Sequence, residues 1–487
     1  MSGGELIATD RPLEDAQRAL QGWFRVLPGA VVSARRTYLD TFDGLLREAG
    51  LVLSEEGQTR TLSSRDGSML ASGTEVEEIA GVRALLPIAA LDLSVQPIDV
   101  LDEREKTVCR LVLEQPAGLP ARLRLNGLRG YRREFARIHE LLVTRGGFRP
   151  TSVPLVDEAV AAAGGDPNPA SARVEVELAP DEPAQDAVAR VLRRLLEIMD
   201  QNLPGTLADT DTEFLHDYRV AVRRTRSVLR ELRGVFPPDE LARLRAEFRW
   251  LQEVTGPTRD LDVYLLEFEQ LRALAPAAVR ADLDPLLAVL RSWHAEARMQ
   301  MERDLVGVRA RRLRADWNYM LTVLGHTALG DRPDAQRPIG ELVAARIWNV
   351  HRRMVRMGDA ISAQSAPEEY HELRKRGKEL RYLLELFGSQ LFDPAVVRPM
   401  VKALKGLQDV LGRHQDRETQ VLTLRRLGDH VLAQSGGSAA LLAMGALVER
   451  LEEDAQLARE QFAASFSQFA SAQQRALVRD TFKRYGA

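Results

Sequence analysis

The stretch His216-Asp217-Tyr218-Arg219-Val220-Ala221-Val222-Arg223-Arg224-Thr225-Arg226-Ser227-Val228-Leu229-Arg230 decides how the larger part of this chain folds. Counting from its histidine, cations stand at +3, +7 and +10 (Arg219, Arg223 and Arg226). At about 100° per residue these positions fall within roughly 80° of one another on a helix. Arg230 and Arg233 extend the stripe, and Arg224 stands beside it. Tyr218, Val222, Leu229 and Leu232 lie on another face. The pattern predicts a helix with one face for a core and a separate face of packed positive charge.

The stretch has an echo 155 residues later, His371-Glu372-Leu373-Arg374-Lys375-Arg376-Gly377-Lys378-Glu379-Leu380-Arg381-Tyr382. Arg374, Lys378 and Arg381 again stand at +3, +7 and +10, with Lys375 alongside, and Leu373, Leu380, Leu384 and Phe387 form the apolar face. A second echo follows each copy. Leu251-Gln252-Glu253-Val254-Thr255-Gly256 leads to Arg259-Asp260-Leu261-Asp262, and Leu407-Gln408-Asp409-Val410-Leu411-Gly412 leads to Arg413-His414-Gln415-Asp416. Two ordered matches at one separation define an internal repeat.

At these residues the chain resembles the CHAD domain, an all-helical module associated with inorganic polyphosphate binding. The resemblance covers roughly residues 208 to 480 and includes both His-cation helices and both Gly-to-Asp segments. The region before it resembles, more loosely, a CYTH (triphosphate-tunnel) domain. That likeness rests on Thr37-Tyr38-Leu39-Asp40-Thr41 with Leu45-Leu46-Arg47-Glu48-Ala49-Gly50-Leu51, on Ala84-Leu85-Leu86-Pro87, and on Leu128-Arg129-Gly130-Tyr131. Triphosphate-tunnel enzymes open on a Glu-x-Glu-x-Lys strand, whose paired carboxylates hold a divalent metal. No such motif precedes Tyr38. The resemblance therefore implies a degenerate tunnel domain, with no catalytic residues, metal ligands or cofactor.

A chain of 487 residues holds two or three domains with ample cores. Net charge is only −3, so any affinity for polyanions must be local, in the helical stripes. The single Cys109 excludes a disulfide framework and fits a reducing compartment. No run approaches the ~18 apolar residues of a membrane span, and the N-terminus lacks a basic-then-apolar leader. A cytoplasmic protein is expected, with polyphosphate granules as one destination and no membrane partner.

Residues 1 to about 26 read as a lead-in with one short helix. Short β-like runs follow at Val31–Leu39, Leu91–Val95, Thr107–Leu113 and Ala121–Leu125, then a helix from Tyr131 to Thr144 stopped by Gly146-Gly147. Arg173–Leu178 reads as a last strand. Its Glu175 and Glu177 share one face, and would either hold a metal inside a barrel or line an exposed edge; without the opening acidic strand the second is favoured. A loop spans 160–171. Leu203-Pro204-Gly205 is the expected domain boundary, and Phe236-Pro237-Pro238-Asp239, Val254-Thr255-Gly256-Pro257, Gly330 to Pro338 and Ser435-Gly436-Gly437-Ser438 separate later helices. The expected fold is an α+β antiparallel barrel-like domain at 1–200, then an all-α domain at 206–487. The latter is two pseudo-symmetric four-helix bundles, at about 206–325 and 340–487.

A linear polyanion without bases calls for closely spaced cations on rigid supports, with guanidinium forks engaging two oxygens at once. The candidate polyphosphate-binding residues are His216, Arg219, Arg223, Arg224, Arg226, Arg230, His371, Arg374, Lys375, Lys378 and Arg381. Arg259 and Arg413 from the glycine segments, Lys402 and Lys405 before the second of them, and Arg346, Arg353 and Arg356 (which repeat the 0, +7, +10 spacing) complete the set. All are expected to face a shared basic groove or pore. Asp260 and Asp416 are expected to orient arginines or cap helices. The dense run Arg309, Arg311, Arg312 and Arg314 reads as a solvated face. Neither histidine sits in a zinc-binding spacing. Two other functions compete. One is a metal-dependent triphosphatase in the N-terminal domain, against which the missing motif counts. The other is nucleic-acid binding, against which the absence of interleaved aromatics and base-reading motifs counts.

Overall fold

The computed structural model describes residues 3–65, 74–166, 174–326, 330–362 and 364–483, and divides the chain into two units at 172/173. The first contains β1 (Gly3–Ile7), α1 (Pro12–Leu20), β2 (Arg25–Pro28), β3 (Val32–Asp40), α2 (Leu45–Glu48), β4 (Leu51–Glu56) and β5 (Thr59–Ser64). It continues through α3 (Thr74–Ala80), β6 (Leu86–Leu101), β7 (Thr107–Pro116), β8 (Arg122–Gly127), α4 (Arg132–Gly146), β9 (Arg149–Pro150) and α5 (Leu155–Ala162). The strands form one nine-stranded antiparallel sheet in the order β5-β4-β3-β6-β7-β8-β1-β9, with β2 also on β6. It is open: β5 and β9, at its ends, do not pair with each other among the described residues.

Strand β6 explains why only its middle was legible. Residues 86–95 pair with β3, and 98–101 pair with β2. Leu91 and Leu93 are buried in the first half, Ile98 and Val100 in the second, so the buried face switches at Gln96-Pro97. A proline without an N–H sits where the partner changes, and its carbonyl accepts from Gly29 N at 2.8 Å. The lead-in is a correction. Residues 3–7 are a strand, held by Glu5 opposite Arg124 and Leu6 opposite Leu123 on β8. One buried leucine in Gly-Gly-Glu-Leu-Ile is too little alternation to read as a strand alone. The helix after Tyr131 ends as expected, on Gly147 at φ 74°.

Residues 174–178 are not in the sheet. They run extended in the second unit, with Val174 and Leu178 against the helical core and Glu175 and Glu177 exposed, so the pair of carboxylates faces solvent. Part of the expected 160–171 loop lies outside the described residues.

The second unit contains α6 (Ala184–Ala208), α7 (Thr212–Glu231), α8 (Pro238–Leu266), α9 (Phe268–Leu274), α10 (Asp284–Val306) and α11 (Val308–Val323). Then come α12 (Ile339–Ala360), α13 (Pro367–Leu383), α14 (Ser389–Leu391), α15 (Pro394–Leu432), α16 (Gly437–Phe469) and α17 (Ala472–Phe482). The repeat is visible in the starts: α6 and α12 at 184 and 339, α7 and α13 at 212 and 367, α8 and α15 at 238 and 394. Packing repeats too, as α6 on α7, α7 on α8 and α8 on α10, against α12 on α13, α13 on α15 and α15 on α16. The repeats do not keep separate cores. One apolar cluster joins α6, α7, α8 and α11 to α12, α13, α15 and α17, and a second joins the far end of α8, α9 and α10 to α15 and α16.

Two expected breaks lie inside helices. Pro204-Gly205 falls within α6 and Pro257 within α8. A proline removes one ladder bond, and burial of the surrounding faces outweighs that loss. Gly205 is required by packing: a Cβ there would overlap the Phe214 ring, which lies flat on that turn. Gly205→Ala is therefore expected to destabilise the helical unit by about 1–3 kcal/mol. The check is a lowered urea midpoint at unchanged slope.

Candidate functional site

Helix α7 begins at Asp211, whose Oδ1 accepts from the backbone N–H of Glu213 at 2.9 Å, and α13 begins with Pro367 in its first turn. Their apolar faces are buried: Tyr218, Val222, Leu229 and Leu232 in the first repeat, Leu373, Leu380, Leu384 and Phe387 in the second. The two helices pack on each other, and ion pairs stitch the repeats together. Arg224 Nη2 lies 3.3 Å from Glu385 Oε2, and Arg230 Nη2 lies 2.8 Å from Glu379 Oε1. Glu379, 2% exposed, also takes Arg376 at 2.6 Å. Glu385 sits in a π-helical turn at 384–388 that closes α13. The cationic stripes are thereby brought side by side along one seam.

Each stripe is braced by the long helix of its own repeat, and in the same way. Arg226 Nη1 donates to Gln252 Oε1, and Arg381 Nη1 donates to Gln408 Oε1 at 2.8 Å. Arg219 and Arg374 lie across Gly256 and Gly412, whose missing side chains leave the helix surface clear for a guanidinium. Arg219 Nη1 donates to Gln252 O at 2.9 Å and Thr255 Oγ1 at 2.8 Å, while Arg374 Nη2 donates to Asp416 Oδ1 at 3.2 Å. Arg259 Nη1 donates to Thr212 O at 2.9 Å, pinning the start of α7 to α8. His371 Nδ1 is 2.6 Å from Gln415 Oε1, and His216 occupies the matching place in α7, half-buried.

Between the braced arginines stand Arg223 and Lys378, each at +7 in its repeat. Neither makes a hydrogen bond or ion pair among the described residues. Both are half-buried, and the charge of Arg223 acts directly on Lys378. Burial, then the charges of Arg374 and Arg223, press the Lys378 ammonium down to about 7, against an upward pull from Asp416. Arg219 is pushed down to about 10 by burial, partly offset by Asp260 and reinforced by Arg223 and Arg259. Arg226 is lowered by burial, then by Arg249 and Arg230. The seam thus holds positive charge that its few carboxylates do not neutralise. Such a surface lowers its own free energy by taking an anion.

The remaining candidates divide. Lys402 and Lys405 are exposed on α15 and Lys375 is paired with Glu372 at 2.6 Å. Arg346 is drawn to Asp334 at 3.4 Å and Arg413 to Gln461 at 3.1 Å, both away from the seam. Arg353 and Arg356 are exposed on α12, and no hydrogen bond or ion pair joins them to the seam among the described residues. The dense run of α11 is spent in ion pairs, Arg309 with Glu247 at 2.8 Å and Arg314 with Asp200 at 2.6 Å. Sequence reasoning missed Arg245 and Arg249 on α8, which act on Arg226, and the bracing role of Gln252 and Gln408. The signal was present, since both glutamines stand in the repeated Leu-Gln-acid-Val segment and Arg249 aligns with Lys405.

The first unit carries a separate cavity of about 260 Å³ on the sheet, lined by Glu5, Arg36, Glu56, Arg65, Glu114 and Arg124 among others. Arg36 bonds Glu56 Oε1 at 2.5 Å and Glu114 Oε1 at 2.8 Å, and Arg124 reaches the same Glu114 oxygen at 2.7 Å. Glu5 is taken by Arg122 at 2.9 Å. These carboxylates do not fit a divalent metal, because arginines already occupy them. Against the opposing cost of burial, Arg124 and Arg36 hold the Glu114 carboxyl below its ordinary 4.5. A group depressed on folding adds stability above its unfolded value and loses it as pH falls through the folded one. The first unit should accordingly lose stability below about pH 4.5, and Glu114→Gln should flatten that acid limb in urea titrations.

Residues 190–425 match the family model described as the CHAD domain. Two uncharacterized proteins from two strains of Mycobacterium tuberculosis are 25% identical over 290 residues, which is 59% of this chain and 53% of each relative. The chain thus spans about half the length of the curated relatives it matches. Among solved structures, the CHAD domain from the plant Ricinus communis shares 24% identity at a TM-score of 0.44, covering 64% of this chain and 96% of that one. PptA from Streptomyces chartreusis shares 17% identity at a TM-score of 0.45, covering 58% of this chain and 99% of that one. No helix among the described residues is long and apolar enough to cross a membrane.

Proposed function

From residues 190–425, which match the CHAD family model, we propose that the chain binds inorganic polyphosphate along the seam of α7 and α13. The observation that carries this reading is the pairing of two cationic stripes, with Arg223 and Lys378 between them making no hydrogen bond or ion pair among the described residues. Phosphate oxygens supply what these groups lack, and the braced Arg219, Arg226, Arg374 and Arg381 present guanidiniums that need little reordering. Arg245, Arg249, Lys402 and Lys405 extend the path on either side. The role is binding rather than turnover, with recruitment to polyphosphate granules in the cytoplasm as its consequence. The first unit serves as a degenerate triphosphate-tunnel scaffold, since arginines fill the places where metal-binding carboxylates would be free.

Competition tests it. Long-chain polyphosphate should displace a fluorescent polyphosphate at least about tenfold better than single-stranded DNA of equal total charge, because the aromatics of the two stripes, Tyr218 and Tyr382, are buried. Equal displacement would reassign the seam to nucleic acid. A second expectation concerns pH. Lys378 is charged below about 7 and neutral above it in the free protein, and bound phosphate favours its charged form. Affinity should fall as pH rises from about 6 to about 8, with proton uptake on binding, and Lys378→Arg should remove most of that dependence.

A further inference from the structure

We propose that Lys378 is an acylation site modified by acyl phosphates, with the surrounding arginines recruiting the donor's phosphoryl group. The inference rests on the phosphate-binding reading of the seam and adds a covalent event to it. Two ordinary conditions for lysine acylation meet at this residue. The amine is reachable, being half-buried, and has no hydrogen-bond or ion-pair partner among the described residues. It is also flanked on its own helix by Arg374 and Arg381, across the seam by Arg223, and from α15 by Asp416.

The chemistry needs only the donor. An acyl phosphate presents its phosphoryl oxygens to the guanidiniums of Arg374, Arg223 and Arg381, whose charges act on the amine. The nitrogen lone pair attacks the carbonyl carbon, the carbon–oxygen bond to phosphate breaks, and inorganic phosphate departs with the electron pair. The proton shed by nitrogen passes to that phosphate or to water, and nothing is oxidised or reduced. Burial, then the neighbouring charges of Arg374 and Arg223, let this ammonium surrender its proton near neutrality, which is how buried catalytic lysines are activated. At the ordinary lysine value almost none of the amine is free at pH 7. Acylation would delete the charge at the middle of the seam.

The chain carries its own controls, since its six lysines include Lys106 and Lys483, which are exposed and lie outside the stripes. The full chain is incubated with acetyl phosphate near pH 7.5, and acetylation at each lysine is followed by mass spectrometry. Lys378 should react about tenfold faster than Lys106 or Lys483, and tripolyphosphate should suppress that reaction selectively. With N-hydroxysuccinimidyl acetate, which has no phosphate to recruit, the preference should shrink and tripolyphosphate protection should remain. Equal rates at all six lysines in a chain that still binds polyphosphate would overturn this inference alone. A chain that binds no polyphosphate and shows no protection would overturn it together with its premise.

Discussion

Replacing Arg223 and Lys378 together with alanine is expected to weaken polyphosphate binding at least about 100-fold near 0.1 M salt and to leave the fold intact. Each is worth roughly 1.5–3 kcal/mol as a charge-assisted contact, and about 1.4 kcal/mol corresponds to tenfold in affinity. Stability should hold or rise, because neither side chain makes a hydrogen bond or ion pair among the described residues and their mutual repulsion is relieved. The contrast with Arg226→Ala is informative. That change strands Gln252 and should lower both affinity and stability. Arg353→Ala with Arg356→Ala is the negative control, since both are exposed on α12 with no bond to the seam among the described residues, and the expected change is under about threefold. The double variant matching wild type in a filter-binding titration would place the polyanion elsewhere.

Arg122→Ala should unfold the first unit at a markedly lower temperature, with a loss of about 3–5 kcal/mol. Its side chain is fully buried, donates from Nη1 to Glu5 Oε1 at 2.9 Å and Val153 O at 2.7 Å, and meets Glu158 through Nη2 at 2.8 Å. It therefore ties β8 to β1 and to α5, and truncation leaves two carboxylates facing a hole. Calorimetry of the full chain should show a transition that moves and another, belonging to the helical unit, that stays. Arg122→Met offers a second reading, since it fills the space but still strands the carboxylates; recovery to wild-type stability would show that packing rather than charge holds this junction.

The helical unit was legible because its signal is written twice. The spacing of His, Arg and Lys marks the cationic, half-buried face of α7 and α13, and the leucines between them mark the core face. What the residues could not disclose is which stripes meet. Arg346 repeats the spacing yet turns to Asp334, because a loop between the repeats supplies that carboxylate. Gly-Pro pairs misled for a similar reason: Pro204 and Pro257 carry the usual helix-breaking chemistry, but long buried faces on both sides keep α6 and α8 continuous. In the first unit β3, β7, β8 and the middle of β6 were found, while β1, β2, β9 and the β4–β5 hairpin were not. Strand β1 is held by neighbours distant in sequence, with Glu5 opposite Arg124.

Equilibrium binding of a long-chain polyphosphate by the wild-type chain across a salt series tests the central claim most directly. The account predicts tight binding at low salt and a steep linear fall of log affinity with log salt, by roughly 0.7–0.9 per phosphate neutralised, as counterions are released. Engagement of the six seam cations Arg219, Arg223, Arg226, Arg374, Lys378 and Arg381 would give a slope of about −4 to −5. A folded chain that fails to bind at low salt, or binds with a slope near zero, would contradict it.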